Sequence, residues 1–140
     1  MSATGDAGGA AETIGALQPS IHDLLDITIE HAEPDRVVMT VPVTWKTHQP
    51  MGLLHGGVSA LLAESAASVG AALNAPGHRV VGIELNASHL RSMTEGTLRA
   101  TATPIRAGRT VSVWDIALTD DAGRDICRAR CTVAVLPDGG

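Results

Sequence analysis

Between Gly56 and Asn74 the sequence carries one charged residue, Glu64, in an otherwise unbroken run of small and apolar positions. Val58, Leu61, Leu62, Ser65, Ala66, Val69, Ala72 and Leu73 recur at helical spacing, and Asn74 with Pro76-Gly77 supplies a stop. The run therefore predicts one long helix with the Val/Leu stripe toward the core. The opposite side holds Ala60, Ala63, Glu64, Ala67, Ser68 and Ala71, where a solvated helix would carry Lys, Arg, Gln and Glu. So small and neutral a face implies close approach by another element, with a second subunit the obvious supplier. Glu64 is then expected to be at least partly buried, which is uncommon for a carboxylate without a role. A rim position or an ion pair with an arginine is the plainer alternative.

The flanking segments read as strands. Ile27 to Ala32 and Arg36 to Thr44, separated by Glu33-Pro34-Asp35, predict a hairpin whose second strand turns Val37, Met39, Val41 and Val43 to one face. Pro42 suggests an edge position for that strand. Before them, Ser20 and Asp23 carry the chemistry of a short capped helix. After the long helix come four more strand-like runs: Arg79 to Arg91, Gly96 to Ala107, Arg109 to Thr119 and Arg124 to Leu136. One long helix among antiparallel strands is an α+β layout. Residues 19–140 read as a single domain, and residues 1–18, Gly/Ala-rich at their start, as a disordered leader.

Charge and composition exclude several functions. The net charge of −5 and the absence of any basic run argue against a nucleic-acid partner. With no Tyr and no Phe, and only Trp45 and Trp114, there is no base-stacking platform either. No signal peptide is evident, and no stretch reads as a membrane span. Cys127 and Cys131 lie four apart on one predicted strand, too far for a disulfide. They share its face with Ala129 and Val133, so core filling is the expected role, in a reducing cytoplasm. Arg128 and Arg130 alternate with them and mark a solvated face. His22, His31 and His78 are expected at the surface, and no histidine pair shows metal-ligand spacing. His48 lies in the loop before the helix without an assignable role.

His55-Gly56-Gly57 opens the helix, where free N–H groups and the positive helix end suit an anion or a polarised carbonyl oxygen. A capping role for His55 is the plain alternative. His55 and Glu64 are separated by about 13 Å along the helix, so one chain cannot bring both to one reacting atom.

The stretch Thr47-His48-Gln49-Pro50-Met51-Gly52-Leu53-Leu54-His55-Gly56-Gly57-Val58-Ser59-Ala60-Leu61-Leu62-Ala63-Glu64-Ser65, followed by Val81-Gly82-Ile83-Glu84-Leu85-Asn86-Ala87-Ser88-His89, resembles the hotdog-fold acyl-CoA thioesterases. Within them it is most similar to the Glu-dependent 4-hydroxybenzoyl-CoA and 1,4-dihydroxy-2-naphthoyl-CoA branch. Leu90 departs from that branch, whose naphthoyl members tend to carry a second His there. The resemblance implies a curved antiparallel sheet wrapped around one long helix, assembled as a homodimer or a dimer of dimers, without cofactor or metal. It implies that Glu64 acts as nucleophile or general base, that Gly56 donates its N–H to the thioester oxygen, and that His55 and Gln49 position that carbonyl. Ser68 would hold the water or the carboxylate. His89, Arg91 and Ser92 would lie near pantetheine and the acyl group, and Arg106, Gly108 and Arg109 near the coenzyme A phosphates.

The reading is thus a thioesterase acting on an aryl- or fatty-acyl-CoA. A non-catalytic acyl-CoA-binding hotdog module is the alternative from another class. A hydratase of the same fold is disfavoured because no Asp lies between Gly56 and Asn74.

Overall fold

The computed structural model describes residues 19–137; the leader expected over residues 1–18 lies outside them. A short helix, α1 (Ile21–Leu24), precedes strands β1 (Thr28–Glu33) and β2 (Arg36–Pro42) and a 3-10 turn at Trp45–Thr47. Then come the long helix α2 (Gly56–Asn74) and strands β3 (Val80–His89), β4 (Thr97–Ala107), β5 (Val111–Thr119) and β6 (Asp125–Val135). The strands form one antiparallel sheet in the order β1-β2-β4-β5-β6-β3, leaving β1 and β3 as edges. Helix α2 touches every strand. Six strands span roughly 24 Å and a helix is only about 10–12 Å across, so the sheet must curl around the helix to do this. The α+β class and the wrapped helix are as expected.

Local chemistry sets the boundaries. Ser20 and Asp23 form the reciprocal cap of α1. Asn74 ends α2 by donating its side-chain amide to the carbonyls of Gly70 (2.8 Å) and Pro34 (2.7 Å), tying the helix end to the β1–β2 turn. Gly77 follows at φ +82°, a conformation that favours glycine.

The helix is rotated relative to the sequence expectation. Its buried residues are Ser59, Leu62, Ala63, Ala66, Ala67, Val69, Gly70 and Ala71, so three of the four alanines assigned to a partner, Ala63, Ala67 and Ala71, pack on the chain's own sheet. Leu61 and Val58 are only half-buried, and Glu64 and Ala72 are exposed. The reason is volume. The strands supply the bulk of the core, with Trp114, Met39, Leu98, Ile116 and Leu118 all fully buried. The helix must present small residues for a sheet curled this tightly to close on them. Trp45, by contrast, stands 79% exposed on its 3-10 turn.

Gly70 is the tightest point of that contact. A Cβ there would lie 2.4 Å from Cη2 of Trp114. Gly→Ala inside a helix ordinarily gains about 1 kcal/mol. Forcing atoms into a packed core costs about 1–3 kcal/mol or more, and a fully buried indole cannot step aside. Gly70→Ala is therefore expected to lose about 2 kcal/mol in urea unfolding. With Trp114→Leu alongside, the sign of the Ala substitution should reverse.

Three other expectations meet corrections. Strand β2 is internal, lying between β1 and β4, so Pro42 does not mark an edge strand. It is tolerated because it ends β2: β1 pairing begins at Thr28↔Thr40, which leaves only β4 beside Pro42. Helix α2 is, by length and a mean hydropathy of 1.3, apolar enough to cross a membrane, although no such stretch was expected. Here that apolarity serves the sheet wrapped around it. His22 and His31 are half-buried rather than surface residues, while His78 is exposed. On β6, Cys127, Ala129, Cys131 and Val133 do point inward, and Arg128 and Arg130 outward.

Candidate active site

The chain just before α2 is a tight loop with a defined hydrogen-bond plan. Gln49 N–H donates to the Leu53 carbonyl (2.7 Å) and Gly52, at φ +82°, returns to the Gln49 carbonyl (2.9 Å). Leu54 N–H is anchored on Met93 (2.8 Å) and His55 N–H on Thr47 (2.8 Å). His48 donates through Nε2 to the Thr94 carbonyl (2.9 Å), which gives this previously unassigned histidine a structural role. The Gln49 side-chain oxygen accepts from the N–H groups of Met51 and Leu53. Its NH2 group has no partner among the described residues and remains an available donor.

His55 is the N-cap of α2. Its Nδ1 accepts from the Gly57 N–H at 2.8 Å, so the neutral ring carries its proton on Nε2. Val58 N–H takes the His55 carbonyl. The Gly56 N–H is left without a partner among the described residues, at the positive end of a 19-residue helix. Capping and donor geometry thus coexist at His55. Gly56 lies under the His89 ring, where an added Cβ would sit 2.7 Å from Nε2. The segment after His89 hooks onto β6 through Leu90 and Arg91 N–H groups donating to the Ile126 carbonyl (2.8 and 3.2 Å). Gln49, Gly56, His89, Arg91 and Ser92 together line one cavity of about 410 Å³ with Leu53, Leu54 and Ile126.

Glu64 and Ser68 are elsewhere. They line a second cavity, of about 710 Å³, with Gly57, Leu61 and Val69 of α2, Val80 and Leu85 of β3, and Ile21 and His22 of α1. Glu64 is exposed in the single chain; the burial expected for it was against a second subunit. Its side chain lies along β3 at Gly82. Gly56 meets β3 at its far end, His89, so the donor set and the carboxylate stand apart within one chain, as the helix arithmetic requires. His22 Nε2 lies 2.9 Å from Ser65 Oγ and brings α1 over this cavity. Sequence reading missed both His22 and Gly82. A lone histidine in a four-residue helix carries no periodic signal, and Gly82 stood in a matched motif without a function assigned to it.

Burial pushes the Cys131 thiol up to about 11, and the carboxylates of Glu64 and Glu84 add to this. Cys127 is raised by burial too. Both free thiols stay protonated near neutral pH and serve as packing, as expected. Asp120 is held below the usual carboxylate range by the Arg124 N–H, despite burial, with the Arg124 guanidinium and the Ala122 N–H also lowering it. It fastens the β5–β6 turn.

Arg106 and Arg109 are exposed beside the β4–β5 turn and line neither cavity. Gly108 has a sufficient local reason: its N–H donates to the Val111 carbonyl (2.9 Å), and a Cβ would come within 2.7 Å of that oxygen.

A family profile described as the thioesterase superfamily matches residues 51–127 of this chain. The 1,4-dihydroxy-2-naphthoyl-CoA hydrolase of Escherichia coli is 46% identical over 113 residues, covering 80% of this chain and 83% of that one. The hydrolase of the same name from Listeria monocytogenes is 45% identical over 116 residues, covering 82% and 94%. Among solved structures, a mutant thioesterase from Pseudomonas aeruginosa superposes with a TM-score of 0.86 at 44% identity, covering 91% of this chain and 94% of that chain.

Proposed function

The chain belongs to the thioesterase superfamily and hydrolyses thioesters, and we propose that its substrate is an acyl-CoA, cleaved at sites that two copies build together. One observation carries the shared site: Gly56 and Gln49 line one cavity of the chain and Glu64 another. A second copy related by a twofold axis, with its helix antiparallel, brings the start of one α2 near the middle of the other. The open edge at β3 supports this assembly, because it exposes Val81 and Ile83 and lacks a neighbouring strand.

In this arrangement the thioester oxygen sits at the Gly56 N–H, assisted by the Gln49 amide and His55 Nε2–H. The carbonyl oxygen gains negative charge on attack, and fixed donors at a helix N-terminus stabilise it without reorganising. Glu64 of the other copy faces the carbonyl carbon. It either attacks that carbon itself, expelling the thiolate and forming a mixed anhydride that water then hydrolyses, or takes the proton of the attacking water. By either route water supplies the oxygen of the free acid and the proton that coenzyme A carries away on its sulfur, and the carboxylate is restored. Ser68, one turn beyond Glu64, orients the water or the carboxylate. The acyl group meets Leu61, Val69 and Leu85, an aliphatic wall that accepts aryl and fatty chains alike. His89, Arg91 and Ser92 flank the pantetheine, and Arg106 and Arg109 supply positive charge for the coenzyme A phosphates. Two buried free thiols suit a reducing compartment, the cytoplasm.

Thiol release from benzoyl-CoA and palmitoyl-CoA, followed with a thiol-reactive dye, tests this reading. Catalytic turnover of either supports it. Stoichiometric binding of both without release would instead make the chain a non-catalytic acyl-CoA-binding module.

A further inference from the structure

Strand β3 is bulged where it passes Glu64. Gly82 pairs with Val133 and Glu84 with Thr132, so Ile83 is the extra residue. The bulge resets the alternation of the strand. Val80 and Gly82 are half-buried before it and Leu85 and Ala87 after it, while Val81, Ile83, Glu84 and Asn86 are exposed. Gly82 therefore occupies an inward position that would ordinarily carry a side chain. That space holds Glu64: a Cβ at 82 would lie 2.9 Å from its Cδ, 3.1 Å from Cγ and 3.2 Å from Oε2. Backbone conformation does not demand glycine here, since the left-handed glycines are Gly52, Gly77, Gly96 and Gly123. The requirement is room for the carboxylate.

We infer that Gly82 is a positioning residue for thioester hydrolysis: the missing side chain, on a strand bent by the Ile83 bulge, forms the seat that fixes the direction of the Glu64 carboxylate. The inference rests on the proposed role of Glu64. An exposed glutamate on a helix has three free torsions and otherwise samples many rotamers. Glu64 has neither an ion pair nor a side-chain hydrogen bond among the described residues, so contact with the β3 backbone is what limits it. A methyl group at 82 fills the seat and moves the carboxylate by about an ångström, which is enough to cost about a hundredfold in rate.

The experiment compares Gly82→Ala, Glu64→Ala and the double variant in the full chain, with steady-state kinetics on the acyl-CoA that the wild type turns over and thermal melting of each. Gly82→Ala is expected to lower kcat about a hundredfold at an unchanged KM, because the pantetheine and carbonyl contacts are untouched. Wild-type kcat in Gly82→Ala, with Glu64→Ala inactive, overturns the inference alone. An active Glu64→Ala protein overturns the proposed function beneath it as well. A rise in KM at constant kcat also overturns the seat, since it reports lost binding. Should Gly82→Ala melt early, the double variant decides. Recovery of the Glu64→Ala melting temperature supports a clash between the methyl and Glu64. A double variant as unstable as Gly82→Ala makes the glycine a folding requirement unrelated to the carboxylate.

Discussion

Replacing Glu64 by Ala or Gln is expected to lower turnover by at least about a hundredfold while the protein stays folded. The carboxylate is exposed in the single chain and makes no ion pair among the described residues, so its removal withdraws little from the fold. It is also the only acidic or basic side chain on α2, so no neighbour on that helix can replace it as base or carboxylate nucleophile. The Gln variant is the sharper test, because it keeps the shape in the Gly82 seat and removes only the basicity. Both variants should keep the wild-type melting temperature to within a few degrees. Near-native kcat in folded Glu64→Gln would remove the residue from the chemistry.

The second large effect is recovery of activity from two inactive proteins. Chains with Glu64→Ala keep an intact donor set, and chains with Gln49→Ala and His55→Ala keep an intact carboxylate. Mixed after reversible dissociation, half of a statistical population is heterodimer, and each heterodimer holds one undamaged site and one doubly damaged site. Activity should rise to about a quarter of wild type. If heterodimers form and activity stays at the level of the parents, the site lies within one chain. The prediction follows from geometry already visible in the monomer: Gly56 under His89 and Glu64 beside Gly82 mark opposite ends of one strand.

Much of this organisation is legible in the sequence because glycine, proline and period-2 alternation punctuate it. The β1–β2 hairpin, the limits of α2 and the inward row of β6 follow from those signals alone. The rotation of α2 does not. Hydropathy ranks Leu and Val above Ala, so periodicity turned the larger residues inward, whereas the curled sheet takes mostly small ones and, of the larger, buries Leu62 and Val69 but not Val58, Leu61 or Leu73. In the single chain the same rotation leaves Glu64 exposed, on the side where the proposed second copy lies. The role of Pro42 depended on where β1 begins, a long-range fact absent from local spacing. His55 and Gly56 were marked by the helix start, Gln49 by the family resemblance alone. The structure adds the hydrogen bonds of His55 and Gln49, and the Gly56 N–H left unpartnered among the described residues. Gly82 escaped because a glycine in a strand usually reports on its own backbone, and here it reports on a side chain from another element.

The placement of the two tryptophans also makes the protein its own optical instrument. With no tyrosine, excitation near 295 nm sees only Trp114, sealed inside the sheet, and Trp45, standing in water three residues before His48. Their emission separates by environment: the interior indole is blue and beyond the reach of iodide, the surface indole red and readily quenched. The first follows the closing of the sheet on Gly70, the second the loop that carries Gln49, so folding and substrate contact report in two distinguishable colours from the unlabelled chain.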